Sequence, residues 1–124
     1  AGAKRAILLN MSVASHCDLL SSAQDALRAE LELKINDVFF APIISNVTTK
    51  PYATKEEAIA LLVDQLVKPV KYKQSILAIA DSVDLAIEFG NGTVLKGLNR
   101  RIAKELETVN VFDMESLEKA LESI

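Results

Sequence analysis

Short apolar runs alternate along the chain with longer stretches in which apolar residues recur every three or four positions. The first pattern is typical of buried strands and the second of amphipathic helices. Strands are predicted at 6–13, 42–47, 84–89 and 109–112. Helices are predicted at 18–34, from 54 to near 69, at 71–81, at 93–107 and from 113 to about 123. Because strands and helices alternate, the pattern predicts an α/β fold whose strands are mostly parallel.

Several of these elements have recognisable ends. Thr54 precedes Glu57 by three positions, the spacing of a capping box. The Thr54 hydroxyl can bond the backbone N–H of Glu57, and the Glu57 side chain can reach back toward Thr54. Asp113 is predicted to cap the last helix. Pro69 is expected to end the helix that Thr54 opens, and Pro42 fits only the first position of its strand, because proline has no N–H to donate.

The composition fits one ordinary domain of 124 residues, half of them apolar. The formal net charge of −3 gives no general attraction to nucleic acid or to an anionic membrane. The apolar runs are too short to span a bilayer. Cys17 is the single cysteine, which favours the reducing cytoplasm. The sequence begins without methionine and almost directly in a strand, so we expect a piece of a longer chain.

His16 is the only histidine, the residue whose ordinary pKa suits proton transfer near neutral pH. It follows a predicted strand, where functional groups gather in α/β folds. The alternative is a structural histidine at a helix start. Ser15 and Cys17 are poor nucleophiles for this imidazole because neighbouring side chains point in different directions, and Cys17 is more typical of a small apolar filler. No serine has a Gly-x-Ser-x-Gly context.

The segment Gly90-Asn91-Gly92-Thr93 follows a predicted strand and opens a helix, where backbone N–H groups can hold a phosphate. It is too short for a dinucleotide-binding fingerprint and lacks the lysine of a P-loop, so a tight turn is favoured. One histidine, one cysteine and scattered carboxylates show no metal-ligand spacing, so no metal is expected.

A basic stripe is predicted on the helix at 93–107. Its members are Lys96, Arg100, Arg101 and Lys104, with no acidic residue between them. A solvated helix face is the ordinary explanation of such a stripe. The functional alternative is a docking surface for an acidic partner, because local charge raises the rate of association.

Five segments, taken in order, carry a resemblance to a known family. They are GAKRA (2–6), SVASHC (12–17), SNVT (45–48), LVDQLVKPV (62–70) and EFGNGTVLKGL (88–98). Their order and spacing resemble the C-terminal part of the malonyl-CoA:acyl carrier protein transacylases, the acyltransferases of bacterial fatty acid synthesis. Each segment alone is a weak signal, and the ordered set is a strong one.

The resemblance implies a serine–histidine mechanism. A serine in a Gly-x-Ser-x-Gly turn attacks the malonyl thioester, His16 is its base, and the main-chain carbonyl of Gln65 orients the ring. An acceptor on one ring nitrogen fixes the tautomer and leaves the other nitrogen for the serine proton. Arg100 and Arg101 match basic positions implicated in docking the acidic carrier protein. The stretch at 13–16 matches one that helps to set acyl choice in related polyketide acyltransferases, and malonyl remains the expected group.

The resemblance also implies a fold and a missing partner. Residues 1–13 are expected to be the exit strand of a ferredoxin-like small subdomain, and 14–124 the C-terminal part of an α/β-hydrolase-like acyltransferase subdomain. The N-terminal part of the same enzyme would supply the serine, an oxyanion-hole donor and the arginine for the malonyl carboxylate. No cofactor is implied. Asn91 departs from the family pattern, in which proline is common between the two glycines.

The implied function is transfer of malonyl from malonyl-CoA to the phosphopantetheine thiol of acyl carrier protein through a serine ester, in the cytoplasm. The 124-residue chain alone is expected to be inactive because it contains no serine elbow. Two alternatives stay open. One is a non-catalytic α/β module that binds an acidic partner through the basic stripe, with His16 structural. The other is the acyltransferase domain of a polyketide synthase.

Overall fold

The computed structural model describes residues 2, 6–8 and 13–124, which form two compact units. The first unit contains the described residues up to Ala41 together with Ala53–Val70, and the second contains Pro42–Tyr52 and Lys71–Ile124. The strand predicted at 6–13 lies partly outside the described residues, and its described members, 6–8 and 13, are in no strand. The first unit thus holds His16 and Gln65, and the second holds the basic residues.

The first unit begins with two helical segments where the sequence pattern predicts one helix at 18–34. A 3₁₀ helix covers Asp18–Ala23, and α1 covers Gln24–Lys34. Ser21 Oγ donates to the carbonyl of Asp18 at 2.5 Å. A serine hydroxyl that bonds to a nearby carbonyl competes with the α-helical pattern, which accounts for the tighter first turns.

Helix α2 covers Lys55–Val67 and packs against α1 and the 3₁₀ helix. Its buried side chains are Ala58, Ile59 and Val63. The predicted cap is confirmed, since Thr54 Oγ1 accepts the N–H of Glu57 at 3.3 Å. Glu57 Oε2 in turn accepts the Thr54 hydroxyl at 3.0 Å and the N–H of Ala53 at 3.4 Å. These local bonds fix where α2 begins.

The second unit contains a short antiparallel hairpin. Strand β1 covers Ile43–Ile44 and pairs with β2, which covers Pro51–Tyr52. The strand predicted at 42–47 is therefore wrong beyond Ile44, because the chain turns at Ser45. Ser45 Oγ accepts the N–H of Val47 at 3.1 Å and that of Thr48 at 3.2 Å, and these bonds hold the turn.

A parallel strand–helix–strand motif forms a separate two-stranded sheet in the second unit. Strand β3 (Leu85–Phe89) pairs in parallel with β4 (Glu107–Val111), and α4 (Val94–Ile102) connects them. Helix α3 (Tyr72–Ile79), continued by a 3₁₀ turn at Ala80–Ser82, precedes β3. The mixed α/β character is confirmed, although among the described residues only one of the two strand pairs is parallel.

The helix predicted at 93–107 is too long, because α4 ends at Ile102. Leu106 continues the helical spacing of apolar residues but is buried outside the helix. Glu107 already pairs with Leu85 in the sheet. Strand pairing thus overrides the local helical pattern, and Lys104 lies in the turn that follows α4.

Asp113 caps the last helix, α5 (Met114–Leu121), as predicted. Asp113 Oδ1 accepts the N–H of Ser116 at 2.8 Å, and Ser116 Oγ accepts the N–H of Asp113 at 2.9 Å. The hydrogen bonds from the Ser116 hydroxyl and backbone lower the pKa of Asp113 because they favour the ionised carboxylate.

Candidate functional site

His16 and Gln65, which the resemblance pairs, are brought together in the first unit. Nδ1 of the His16 ring lies 2.7 Å from the carbonyl oxygen of Gln65, 49 positions along the chain. A carbonyl oxygen only accepts hydrogen bonds, so Nδ1 carries the proton and donates it. In the neutral ring, Nε2 is then the nitrogen with an available lone pair. The geometry sets the ring in the tautomer that a base acting through Nε2 needs.

The acceptor for His16 belongs to the last turn of α2. The N–H of Lys68 bonds to the carbonyl of Asp64 at 3.0 Å and closes the helix. Gln65 is the next residue, and its carbonyl receives the His16 bond from outside the helix. The last carbonyls of a helix have no intrahelical donors and carry its partial negative charge. A positive charge on the ring would therefore face a favourable dipole.

The backbone of His16 has a φ of +56°, in the left-handed region. Non-glycine residues adopt this region uncommonly, at a cost of about 1–3 kcal/mol, and such strain is concentrated at functional sites and turns. Thr49 has a comparable φ of +64° in the hairpin turn between β1 and β2, so positive φ alone does not distinguish a site. At His16 the strained backbone coincides with the bond to Gln65.

Gln24 is a further residue of this region that the sequence patterns do not single out. Its side-chain Nε2 donates to the carbonyl of Val63 at 3.4 Å, which ties the start of α1 to the last turns of α2. Cys17, beside His16, is a half-buried free thiol. The role of Gln24 is visible only in the folded chain, because its hydrogen-bond partner lies 39 positions away.

Neither a metal centre nor a membrane span is found in the described residues. Within residues 2, 6–8 and 13–124, no group of three or more His, Cys, Asp or Glu side chains is placed to hold a metal ion. The same part of the chain contains no helix with the length and apolar character to cross a membrane.

In the second unit, the start of α4 is held by Glu88, another residue that the sequence patterns miss. Its carboxylate oxygens accept the N–H of Leu95 at 3.0 Å and that of Lys96 at 2.8 Å. A carboxylate at a helix N-terminus satisfies two backbone donors and complements the helix dipole. The cap comes from the preceding strand, not from the residue just before the helix, where sequence rules look for it.

The buried face of α4 is held by Asn99, which is 3% exposed. Asn99 Oδ1 accepts the Tyr72 hydroxyl at 2.8 Å, and Asn99 Nδ2 donates to Thr108 Oγ1 at 3.2 Å. Burial raises the pKa of Tyr72, the charge of Glu88 raises it further, and the Asn99 bond opposes both. These bonds join α3, α4 and β4 and fix the rotation of α4 about its axis.

The segment at 90–93 forms a tight turn, as the sequence favours. Gly90 has a φ of +132°, which a residue with a side chain rarely adopts. The side-chain amide of Asn110 donates to the carbonyls of Glu88, Gly90 and Gly92 at 3.0, 3.2 and 2.8 Å. Asn110 thus braces the turn from the neighbouring strand.

The basic residues are not on one helix, which corrects the prediction. Lys96, Arg100 and Arg101 are exposed on α4, and Lys104 is exposed in the turn beyond it. A shallow groove of about 230 Å³ is lined by Lys96, Arg100, Lys104, Leu106 and Thr108. Arg101 is not part of that lining. Three of the four cations therefore share one surface feature, even though the helix ends early.

Comparisons with known proteins support the resemblance. No protein-family model matches the chain. It is 37% identical to the malonyl CoA-acyl carrier protein transacylase of Bacillus subtilis over 127 residues, covering 99% of this chain and 39% of that protein. The solved malonyl-CoA:acyl carrier protein transacylase of Helicobacter pylori is 42% identical with a TM-score of 0.91, covering 98% of this chain and 39% of that one.

A second solved structure is a complex of a type II PKS acyl-carrier protein with its malonyl-transacylase. It is 38% identical, with a TM-score of 0.89, and covers 99% of this chain and 40% of that one. By their names, these relatives are acyltransferases as a class. The particular resemblance is to malonyl CoA-acyl carrier protein transacylases, and the chain spans about two fifths of their length.

Proposed function

We propose that this chain is the C-terminal part of a malonyl-CoA:acyl carrier protein transacylase, an enzyme of fatty acid biosynthesis in the cytoplasm. The complete enzyme transfers malonyl from malonyl-CoA to the phosphopantetheine thiol of acyl carrier protein through a serine ester. The observation that carries the proposal is the bond from His16 Nδ1 to the Gln65 carbonyl at 2.7 Å. This bond supports the proposal because it favours the tautomer in which Nε2 has the lone pair that a base needs.

In the first half-reaction, His16 is the general base. A serine of the N-terminal part attacks the malonyl thioester, and Nε2 takes the hydroxyl proton as the new C–O bond forms. When the tetrahedral intermediate collapses, the C–S bond breaks and the coenzyme A sulfur leaves with that proton. The products are the malonyl-serine ester and free coenzyme A.

In the second half-reaction, His16 takes the proton of the carrier's phosphopantetheine thiol, whose sulfur attacks the serine ester. Collapse breaks the C–O bond, and the proton on Nε2 returns to the serine oxygen. The Gln65 carbonyl is a neutral acceptor and stabilises the protonated ring less than a carboxylate would. This suits a reversible transfer in which the base gives its proton back twice.

The proposed partner surface is the basic surface at Lys96, Arg100, Arg101 and Lys104. Its support is the groove that three of these residues line and their exposure on or beyond α4. An acidic carrier protein would be drawn to this surface by charge, because exposed charges mainly set association rates.

We also propose which subdomain each part of the chain belongs to. In the complete enzyme, where partner strands are present, residues 1–13 would form the exit strand of a ferredoxin-like subdomain, and residues 14–124 would be part of an α/β-hydrolase-like subdomain. The remainder of the enzyme supplies the serine, an oxyanion-hole donor and the arginine for the malonyl carboxylate. No cofactor takes part in the proposed chemistry.

A second candidate differs only in the carrier. The similarity to a transacylase solved with a type II PKS acyl-carrier protein is as high as that to the B. subtilis protein. A polyketide carrier is therefore the alternative acceptor of the malonyl group.

The test is a malonyl-transfer assay in which acyl carrier protein is weighed by mass spectrometry. The complete enzyme containing this segment is expected to load malonyl onto the carrier, and the purified 124-residue chain is expected to load none. Transfer by the purified chain, clean of host enzyme, would contradict the proposed division of labour. Failure of the complete enzyme to use malonyl-CoA would contradict the proposed activity.

A further inference from the structure

The Gln65 carbonyl that accepts the His16 bond lies in the last turn of α2, where a longer helix would supply it with a backbone donor. In an α-helix, the carbonyl of residue i accepts the N–H of residue i+4. For Asp64 this donor is Lys68, and the bond is present at 3.0 Å. For Gln65 the donor would be residue 69, which is proline and has no N–H. The residue that could compete with His16 for the Gln65 carbonyl thus lacks the group needed to do so.

Proline also acts on the residue before it. The proline ring disfavours the helical region for the preceding residue and moves it to extended backbone. Lys68 has φ −109° and ψ 147°, within the range expected before proline. The chain therefore leaves α2 one residue after Val67, and the last turn does not extend over the Gln65 carbonyl.

We propose that Pro69 is a positioning residue for His16, because it keeps the carbonyl of Gln65 available to the imidazole. This inference rests on the proposed catalytic role of His16. In this role Pro69 touches neither substrate nor reacting atoms. It acts by removing a competing donor and by ending the helix at the residue that the site requires.

Two variants at position 69 separate two properties of proline, the missing N–H and the rigid ring. Pro69→Ala restores the N–H and lets α2 continue for another turn. Replacing residue 69 with lactic acid, the hydroxy-acid analogue of alanine, replaces that N–H by an ester oxygen while leaving the ring absent. Pro69 is exposed, so neither change empties a core position. Pro42→Ala, at an exposed position before β1, is the matched control.

The experiment measures two quantities in the complete enzyme: the tautomer of His16 by ¹⁵N NMR of its ring, and the steady-state constants for malonyl transfer. The His16 signals are identified by their loss in His16→Ala. For Pro69→Ala we expect a smaller share of the Nδ1–H tautomer, and a kcat lower by about tenfold with the KM for malonyl-CoA changed by less than about twofold. The lactic acid variant is expected to recover both, and Pro42→Ala to match the unaltered enzyme.

Wild-type tautomer and kcat in Pro69→Ala would overturn the proposal. So would a lactic acid variant as impaired as Pro69→Ala, because the rigid ring would then be the important property. A shifted tautomer with unchanged kcat would support the role of Pro69 in holding the ring and would contradict the proposed role of His16 in catalysis. The two readouts thereby separate failure of this inference from failure of the proposed function.

Discussion

The two compact units place their candidate functional groups by different means. In the first unit, one ring nitrogen of His16 meets one backbone carbonyl, that of Gln65. In the second, several exposed cations are presented on a helix that Glu88 caps and Asn99 holds from beneath. A backbone acceptor is retained when its own side chain is substituted, whereas substitution of any one charged residue alters the charge of the surface that it belongs to. The proposed chemistry is therefore concentrated in one bond, whereas the proposed docking charge is distributed over several side chains.

The largest effect is expected at His16. His16→Ala removes the proposed general base, and kcat for malonyl transfer by the complete enzyme should fall by about 10² to 10⁴-fold, the usual contribution of such a group. Assays that are quenched at fixed times, with the loaded carrier detected by mass spectrometry, measure this fall in kcat. Near-normal turnover would remove His16 from the mechanism.

A smaller, selective effect is expected at the basic surface. Reversing both Arg100 and Arg101 to glutamate should raise the KM for acyl carrier protein by about tenfold and that for malonyl-CoA by less than about twofold, because surface charge acts on the encounter of two proteins. Arg100→Glu should have a larger effect than Arg101→Glu, since only Arg100 shares the groove with Lys96 and Lys104.

The control is the double variant Lys34→Glu and Lys73→Glu, which changes net charge equally on other helices. Added salt should reduce the difference between the variants and the unaltered enzyme, because exposed charges are screened. Equal changes in both KM values, or an equal effect of the control, would show that these arginines do not form a docking surface.

The smallest effect is expected at Asp113, the residue that caps α5 in the second unit. Its folded pKa is lowered, so ionised Asp113 stabilises the fold above its unfolded pKa near 3.9, and this stabilisation is lost as pH falls through the lower folded value. The Tm difference between the unaltered protein and Asp113→Asn should thus be greater at pH 7 than at pH 3. Glu118→Gln, on the same helix, is the control for lost charge, and a Tm difference independent of pH would contradict the assignment.

The sequence predicted best those features that depend on neighbouring residues. The start of α2 at Thr54, its end near Pro69 and the Asp113 cap all follow from contacts within four positions. The errors arise where a local side-chain bond competes with the strand pattern and where tertiary pairing competes with the helix pattern. Ser45 turns the chain inside a predicted strand, and pairing of Glu107 with Leu85 stops the helix that was predicted to reach 107.

The residues of the candidate site also differ in whether the sequence alone could predict their roles. His16 stands out in the sequence because it is the only histidine. Its pairing with Gln65 followed only from the family resemblance, since no local rule links residues 49 positions apart. Glu88 and Asn99 carry no sequence signal for their roles, because their partners are brought to them by the fold of β3, β4 and α3.

The proposed mechanism requires the Gln65 carbonyl to hold His16 as the Nδ1–H tautomer, with Nε2 available as the base. The most direct measurement is the ring ¹⁵N NMR spectrum of His16 in the complete enzyme at a pH of about 8.5, where an ordinary imidazole is neutral. We expect a proton on Nδ1 and an unprotonated Nε2. A ring that carries its proton on Nε2, or that exchanges between both tautomers as a free imidazole does, would contradict it.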